Sequence, residues 1–308
     1  MTKSEKAEKK LNLKYYGGED LYSDGEIEDK FLDIAKNHTE EELNRVIASE
    51  KDWGILYHFS PIRRNIISWF PMKEDAKVLE IGSGCGAITG ALCESAKSVT
   101  CVDLSKKRSL INAYRNDQYD NFEILVGNFK DIEPNLKEEE YDYITLIGVF
   151  EYGEAYIGGD TPYKDFLNII KKHLKKDGEL IIAIENRFGF KYFAGCREDH
   201  IGTFFEGLNG YPASDGVKTF DKDELTKLFE ECGFDDVDFY YPYPDYKLPM
   251  VIYSDDFLPK EGELRKNHVN YDRDRLGLFN DDKVLDDIIR QNMFPAFSNS
   301  FLTILRRK

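Results

Sequence analysis

Glu80-Ile81-Gly82-Ser83-Gly84-Cys85-Gly86 is the stretch on which the reading of the whole chain turns. It follows the apolar run 77–81, Lys-Val-Leu-Glu-Ile, and leads into 87–96, which reads as a helix. A strand handing over to a helix through alternating glycines lets the backbone approach a ligand with no Cβ in the way. Asp103 closes the next apolar run, 98–103, 21 residues after Gly82. A carboxylate at that place can accept hydrogen bonds from a ribose diol.

The same rhythm continues outward from the turn. Residues 106–116 read as a helix, 122–126 as a strand, and 141–149 as a nearly all-apolar strand of the kind buried on both faces. A helix over 163–174 is stopped by Lys175-Lys176-Asp177-Gly178, with cations and a glycine at its C-terminal end. Strands follow at 179–184, 236–243 and 300–305, and Asp221-Lys-Asp-Glu224 opens a helix to Cys232 with a capping-box pattern. Strands alternating with helices imply right-handed crossovers and a parallel sheet. Before the turn, residues 26–50 read as helix broken at His38-Thr39, and Ser60-Pro61 starts another helix. Residues 11–25 are turn-rich and aromatic, with no helical period. The N-terminal part, 1–75, is therefore expected to be a helical cap on a domain that occupies 76–308. A further expectation is that 11–25 orders over bound cofactor.

Composition narrows the function. The chain has 308 residues and a net charge of -16, with 42 Lys and Arg against 58 Asp and Glu. Phosphate binding needs clustered basic residues, so a broad nucleic-acid surface and adsorption to an anionic membrane are disfavoured. No stretch approaches the ~18 apolar residues of a membrane span. Met1 to Lys10 is charged, so no signal peptide is read there. The five cysteines, 85, 93, 101, 196 and 232, form no Cys-x-x-Cys pair, which points to a reducing cytoplasm. No carboxylate/His spacing marks a metal site, so a metal-independent protein is expected. Oligomeric state leaves no signal in the sequence.

Two cofactor readings compete at the turn. Gly82-x-Gly84-x-x-Ala87 satisfies the dinucleotide fingerprint, with its acid about 20 residues on. A carboxylate at position 80, however, would sit poorly beside a pyrophosphate. Acid-x-Gly-x-Gly-x-Gly resembles the class I S-adenosylmethionine (SAM) methyltransferases, whose cofactor carries no phosphate and is cationic at its methionine end. The chain resembles that family further along. Gly127-Asn128-Phe129 follows a strand where the family carries an acid or amide reaching the adenine amine. Tyr141-Asp-Tyr-Ile-Thr-Leu-Ile-Gly148-Val-Phe-Glu151-Tyr152 and Leu174-Lys-Lys-Asp-Gly178 resemble its fourth strand and its entry to the fifth. The resemblance implies a seven-stranded, Rossmann-like α/β sheet whose last strand, 300–305, is antiparallel and lies between strands five and six. It implies SAM as cofactor, S-adenosylhomocysteine as product, and Glu80, Gly82, Ser83, Gly84, Gly86, Asp103, Leu104, Asn128, Phe129 and Gly148 as cofactor contacts. Gly148 can equally be a packing glycine, and Phe129 plain core.

Two long insertions, about 187–218 and 244–297, leave the carboxyl ends of strands, where ligands of open α/β sheets bind. They mix aromatics with carboxylates, amides and hydroxyls, which suits a small polar acceptor such as a sugar hydroxyl. A rigid lid packed with tyrosines is the competing reading. Asn186, Arg187, Tyr211, Tyr241 and Tyr243 are the candidate acceptor contacts. His200, with Asp199 to orient it, is the first candidate general base and Glu151 the second. Trp53-Gly-Ile-Leu-Tyr57-His-Phe-Ser-Pro-Ile-Arg63, Ile184-Glu-Asn-Arg-Phe-Gly-Phe190 and Tyr240-Tyr-Pro-Tyr-Pro-Asp-Tyr-Lys-Leu-Pro249 resemble bacterial methyltransferases found beside surface-glycan assembly enzymes. That resemblance implies a glycan or metabolite acceptor rather than a nucleic acid.

Overall fold

A computed structural model describes residues 2–20, 23, 25–265 and 273–307. Positions 21, 22 and 24 of the aromatic stretch, and His268, lie outside the described residues. Nine strands are hydrogen-bonded in the order β1-β4-β3-β2-β5-β6-β9-β7-β8. They are β1 (Leu11–Tyr15), β2 (Lys77–Ile81), β3 (Ser98–Asp103), β4 (Phe122–Gly127), β5 (Tyr141–Ile147), β6 (Leu174–Glu185), β7 (Asp236–Tyr243), β8 (Val251–Ser254) and β9 (Ser300–Arg306). The sheet is α/β, Rossmann-like and mostly parallel, but it has nine strands rather than the expected seven.

The two additional strands are β1 and β8. β1 pairs in parallel with β4, Leu11 opposite Ile124. Five residues with one apolar alternation, followed by glycines, carry too weak a period to announce a strand. What makes them one is the open edge of β4, whose backbone groups need partners. The expected helical cap thus contributes a strand to the sheet. At the other end β8 pairs antiparallel with β7, and so does β9. β9 lies between β6 and β7, where the sequence places it. β6 starts at Leu174, so Lys175-Lys176-Asp177-Gly178 extends a strand instead of ending a helix. The helix before it, Pro162–His173, stops at the residue where the strand begins.

The chain forms two compact units, residues 1–146 with 170–180, and residues 147–169 with 181–308. In the first, β2 pairs in parallel with β3 and β5, and β3 with β4. Val78, Leu79, Ile144 and Leu146 are fully buried there, as residues of a strand covered on both faces should be. The helix Ile27–Asn37 packs Phe31 against His58 and Phe59, with ring centroids 4.9 and 5.8 Å away. It is tied to the helix Lys106–Arg115 by Arg108 Nε donating to the buried Glu28 at 2.8 Å. In the second unit, the helix Lys222–Glu231 begins with the capping box read from the sequence: Asp221 accepts from the Glu224 N–H, and Glu224 from the Asp221 N–H. Leu225 and Phe229 on its inner face are wholly buried. Phe239 of β7 meets Phe301 of β9 edge-on at 5.6 Å. No helix among the described residues is long and apolar enough to cross a membrane.

Candidate active site

The glycine turn lies at the carboxyl end of β2 in the first unit. Gly82, Gly84 and Gly86 have φ of 72°, 52° and 75°, a region that L side chains enter only with strain. Val102 O accepts from the N–H groups of Gly82 and Ser83, at 2.8 and 3.1 Å, which locks the turn to β3. Asp103 then crosses back. Its Oδ2 accepts from the Gly84 N–H at 2.7 Å and its Oδ1 from the Ser105 N–H at 2.9 Å. Burial raises the Asp103 carboxyl, while those two N–H groups and the Arg108 charge pull the other way. A carboxylate has about four acceptor sites, so two remain for a ribose diol. Leu104 follows, half-buried.

Glu80 does not point outward. It is buried under the turn, where its Oε2 accepts from Thr89 Oγ1 at 2.7 Å and from Cys101 Sγ at 3.3 Å. Burial pushes its carboxyl up to about 7, against those two hydrogen bonds. Asn128 caps the helix Phe129–Ile132 by accepting from the Lys130 N–H at 3.0 Å, and Phe129 is buried. Gly148, in the second unit, has φ 69°, and a Cβ there would lie 2.7 Å from the Tyr246 hydroxyl. That supports its packing role.

One residue that sequence reading missed engages the segment just after Asp103. Asp20 accepts from Ser105 Oγ at 2.9 Å and from the N–H groups of Lys106 and Lys107 at 2.7 and 3.1 Å. These last two open the helix Lys106–Arg115, where a carboxylate is favoured. Those contacts hold the Asp20 carboxyl low although burial alone would raise it. The signal was only an acid in a glycine-rich stretch, and its partner lies 85 residues away.

The turn fits a nucleoside-bearing cofactor. Ser83 Oγ is buried with no hydrogen-bond partner, and a Cβ on Gly84 would meet nothing within 4 Å. An orphaned donor beside an open backbone face is what a polar ligand completes.

The second unit gathers an ionic cluster from four chain segments, at Glu151, Glu185, Glu198–His200 and Lys247. His200 Nδ1 is hydrogen-bonded to Glu198 Oε1 at 2.9 Å. Its Nε2 lies 3.5 Å from Glu151 Oε1 and 4.0 Å from Glu185 Oε2. Glu151 and Glu185 are buried, at 1% and 0% exposed. Glu185 Oε1 also accepts from Lys247 Nζ. Burial would lower the imidazole, but Glu185, Glu151 and Glu198 raise it well above its ordinary value. The carboxyl of Glu151 is raised by burial against the His200 contact, whereas Glu185 is lowered because the Lys247 and His200 charges outweigh its burial. The orienting acid is Glu198, not Asp199. Asp199 accepts instead from Tyr192 at 2.5 Å and pairs with Lys191 at 2.7 Å.

The expected acceptor contacts separate. Asn186 is wholly buried and donates to Ala296 O and Ser298 O. Arg187 pairs with Asp221 and Glu224, both at 2.7 Å. Tyr241 donates to Asp255, and Tyr211 is bonded to Thr219 and Glu198. Tyr243, by contrast, has a buried hydroxyl with no partner. The polar atoms of the first four belong to the fold's own network.

A sequence profile of the methyltransferase-domain family matches residues 57–238. The chain belongs to that family. The methyltransferase is also 35% identical over 163 residues to a ribosomal RNA small subunit methyltransferase A of Borreliella burgdorferi, covering 52% of this chain and 53% of the relative. It is 24% identical over 131 residues to a ubiquinone biosynthesis O-methyltransferase of Hydrogenovibrio crunogenus, covering 39% and 53%. The chain spans about half the length of these curated relatives. A solved SAM-dependent methyltransferase from Archaeoglobus fulgidus has a TM-score of 0.51 at 14% identity, over 83% of this chain and 100% of its own, a likeness of fold. The turn Glu80–Gly86 with Asp103 is where the residues of this methyltransferase-domain chain fit SAM.

Proposed function

We propose that this methyltransferase transfers the methyl group of SAM to a hydroxyl of a small polar acceptor, a sugar, glycan unit or metabolite. SAM supplies an electrophilic methyl on a sulfonium, and displacement by an acceptor oxygen leaves S-adenosylhomocysteine. Asp103 and the Gly82–Gly84 backbone hold the nucleoside end, and residues 1–75 cap that side through Asp20. In this reading the described residues of the two insertions, 187–218 and 244–265 with 273–297, supply acceptor contacts, and Tyr243 is one more.

The observation that carries the acceptor reading is the buried Glu151–His200–Glu198 chain. An acceptor hydroxyl loses a proton as it is methylated, and that proton needs a taker. Against its burial, Glu185, Glu151 and Glu198 raise the His200 imidazole above its ordinary value, and its Nε2 faces Glu151 and orients it. Glu151, whose carboxyl burial raises, takes the proton. Glu151→Gln should cut kcat by roughly 10²–10⁴ with the affinity for S-adenosylhomocysteine unchanged. Unaltered turnover would remove Glu151 from the mechanism. Acceptors are screened with labelled SAM, beginning with nucleotide sugars and glycans.

The ribosomal RNA methyltransferases among the relatives favour a second reading, an RNA acceptor. The net charge of -16 opposes it. Salt-dependent binding in an RNA titration would establish it over the small acceptor. The five cysteines are buried and form no disulfide among the described residues, which supports a cytoplasmic setting.

A further inference from the structure

We propose that Glu151, Glu185 and His200 form a binding site for a divalent first-row metal cation of the Zn²⁺ or Mn²⁺ class. The inference does not rest on the acceptor being a hydroxyl, nor on methyl transfer.

Among the described residues these three form a group whose ligand atoms, one from each, all lie within 4.8 Å of one another. A cation held at about 2.1 Å from its ligands sets neighbouring ligand atoms roughly 3.0–3.4 Å apart, and opposite ones about 4.2 Å. The separations from His200 Nε2, 3.5 and 4.0 Å, are thus within a few tenths of an ångström of a filled site. The second observation is independent of that spacing. Glu151 Oε2 and Glu185 Oε2 are buried and have no hydrogen-bond partner, although every neighbouring carboxylate is engaged. Glu198 accepts from the N–H groups of His200 and Ile201, at 2.8 and 2.6 Å, and Asp199 pairs with Lys191 and Lys247. Buried anionic oxygens without a hydrogen-bond donor are costly, and a cation removes that cost.

The imidazole is oriented as a metal ligand's is. With its Nδ1–H donated to Glu198, its Nε2 faces the two carboxylates. A metal-bound histidine characteristically gives its other ring N–H to a carboxylate in this way. Around it, five acids (Glu151, Glu185, Glu198, Asp199, Asp245) meet two ammonium groups, Lys191 and Lys247. A dication offsets the excess negative charge, where one imidazolium proton does so only in part. An imidazole with two carboxylates suits zinc, manganese or iron, and suits calcium or magnesium poorly, since these take oxygen ligands. The His200 side chain is 11% exposed, which leaves a way in.

The test uses the full chain, dialysed against a chelator and titrated calorimetrically with ZnCl2, MnCl2, MgCl2 and methylammonium chloride. The expected result is one Zn²⁺ or Mn²⁺ per chain. Glu198→Gln should weaken binding by roughly 10–100-fold, as the loss of a carboxylate behind a liganding histidine does. Glu185→Gln should weaken it at least as much. S-adenosylhomocysteine affinity, which reports on the glycine turn, should be unchanged in both and shows that the variants fold. Should either variant lose that affinity too, pulsed electron paramagnetic resonance of Mn²⁺ on the unaltered chain decides, by a nitrogen coupling from directly bound imidazole. No stoichiometric binding of either metal, binding indifferent to both folded variants, bound Mn²⁺ without the nitrogen coupling, or a response to methylammonium alone would overturn the proposal.

Discussion

Gly84→Ala and Gly86→Ala separate cofactor binding from folding, because the two glycines share a backbone conformation but not a neighbourhood. Both lie at positive φ, 52° and 75°, so alanine costs each about 1–2 kcal/mol in backbone strain. At Gly84 nothing lies within 4 Å of the added Cβ, and the strain is the whole effect. At about 2 °C per kcal/mol for a chain of this size, the melting temperature falls by roughly 2–4 °C. At Gly86 the Cβ would be 2.3 Å from Asn112 Oδ1 and 2.6 Å from Asn116 Nδ2. Those amides are buried and bonded, Asn112 to Thr89 at 3.0 Å and Asn116 to Gly86 O at 3.1 Å, so neither can swing aside freely. Overpacking adds about 1–3 kcal/mol and a broken buried hydrogen bond about 1–2 more, for a total of about 3–7 kcal/mol with the strain. Binding should show the opposite order of severity. A methyl on Gly84 occupies the face the cofactor needs, and 1–3 kcal/mol of misfit there weakens S-adenosylhomocysteine by roughly 5–150-fold. Thermal unfolding and calorimetric titration of the two variants are the assays. A Gly84→Ala protein that binds S-adenosylhomocysteine like the wild type, or a Gly86→Ala protein as stable as Gly84→Ala, would refute the account of the turn.

Asp103→Ala leaves the N–H groups of Gly84 and Ser105 without their acceptor, and it removes the proposed ribose contact. It should lower stability by about 2–3 kcal/mol and weaken S-adenosylhomocysteine more than tenfold, both read by the same two assays. Glu80→Gln tests the buried carboxyl. Its folded pKa, about 7, lies above the value of 4.5 for the free side chain. The folded chain therefore keeps a proton that the unfolded chain gives up. Glu80's contribution is present in full below about pH 4.5 and is lost as pH rises towards 7, by roughly 3 kcal/mol. Glu80→Gln, which never ionises, should gain on the wild type over that window in denaturant titrations. A difference that does not change between pH 4 and pH 8 would mean that Glu80 is not buried as described.

What could be read in the sequence was local. Glycines at 82, 84 and 86 announce left-handed backbone because few other residues adopt it without strain, and the apolar runs at 77–81 and 141–147 announce buried strands by composition alone. Asp103 was legible by its distance from the turn. β1 was not, since Leu11–Tyr15 becomes a strand only against the edge of β4. Asn186, Arg187 and Tyr241 carry suitable chemistry for an acceptor site, but the carbonyls the Asn186 amide donates to lie 110 and 112 residues away, the acids Arg187 pairs with 34 and 37, and the acid Tyr241 donates to 14. Asp199 sits beside His200 in the chain, yet Glu198 bonds to the ring, because side-chain direction in a turn follows the backbone and not the order of residues.

The amino-acid order by itself determined the turn, its acid and the alternation of strands and helices, because each depends on backbone conformation and burial over a few residues. Only the tertiary structure decided that Glu151, Glu185 and His200 come together. Their segments are separated by 34 and 15 residues, and no spacing rule joins them. Charges are brought together there by the packing of the apolar residues around them, and the balance of that cluster exists only once the packing is complete.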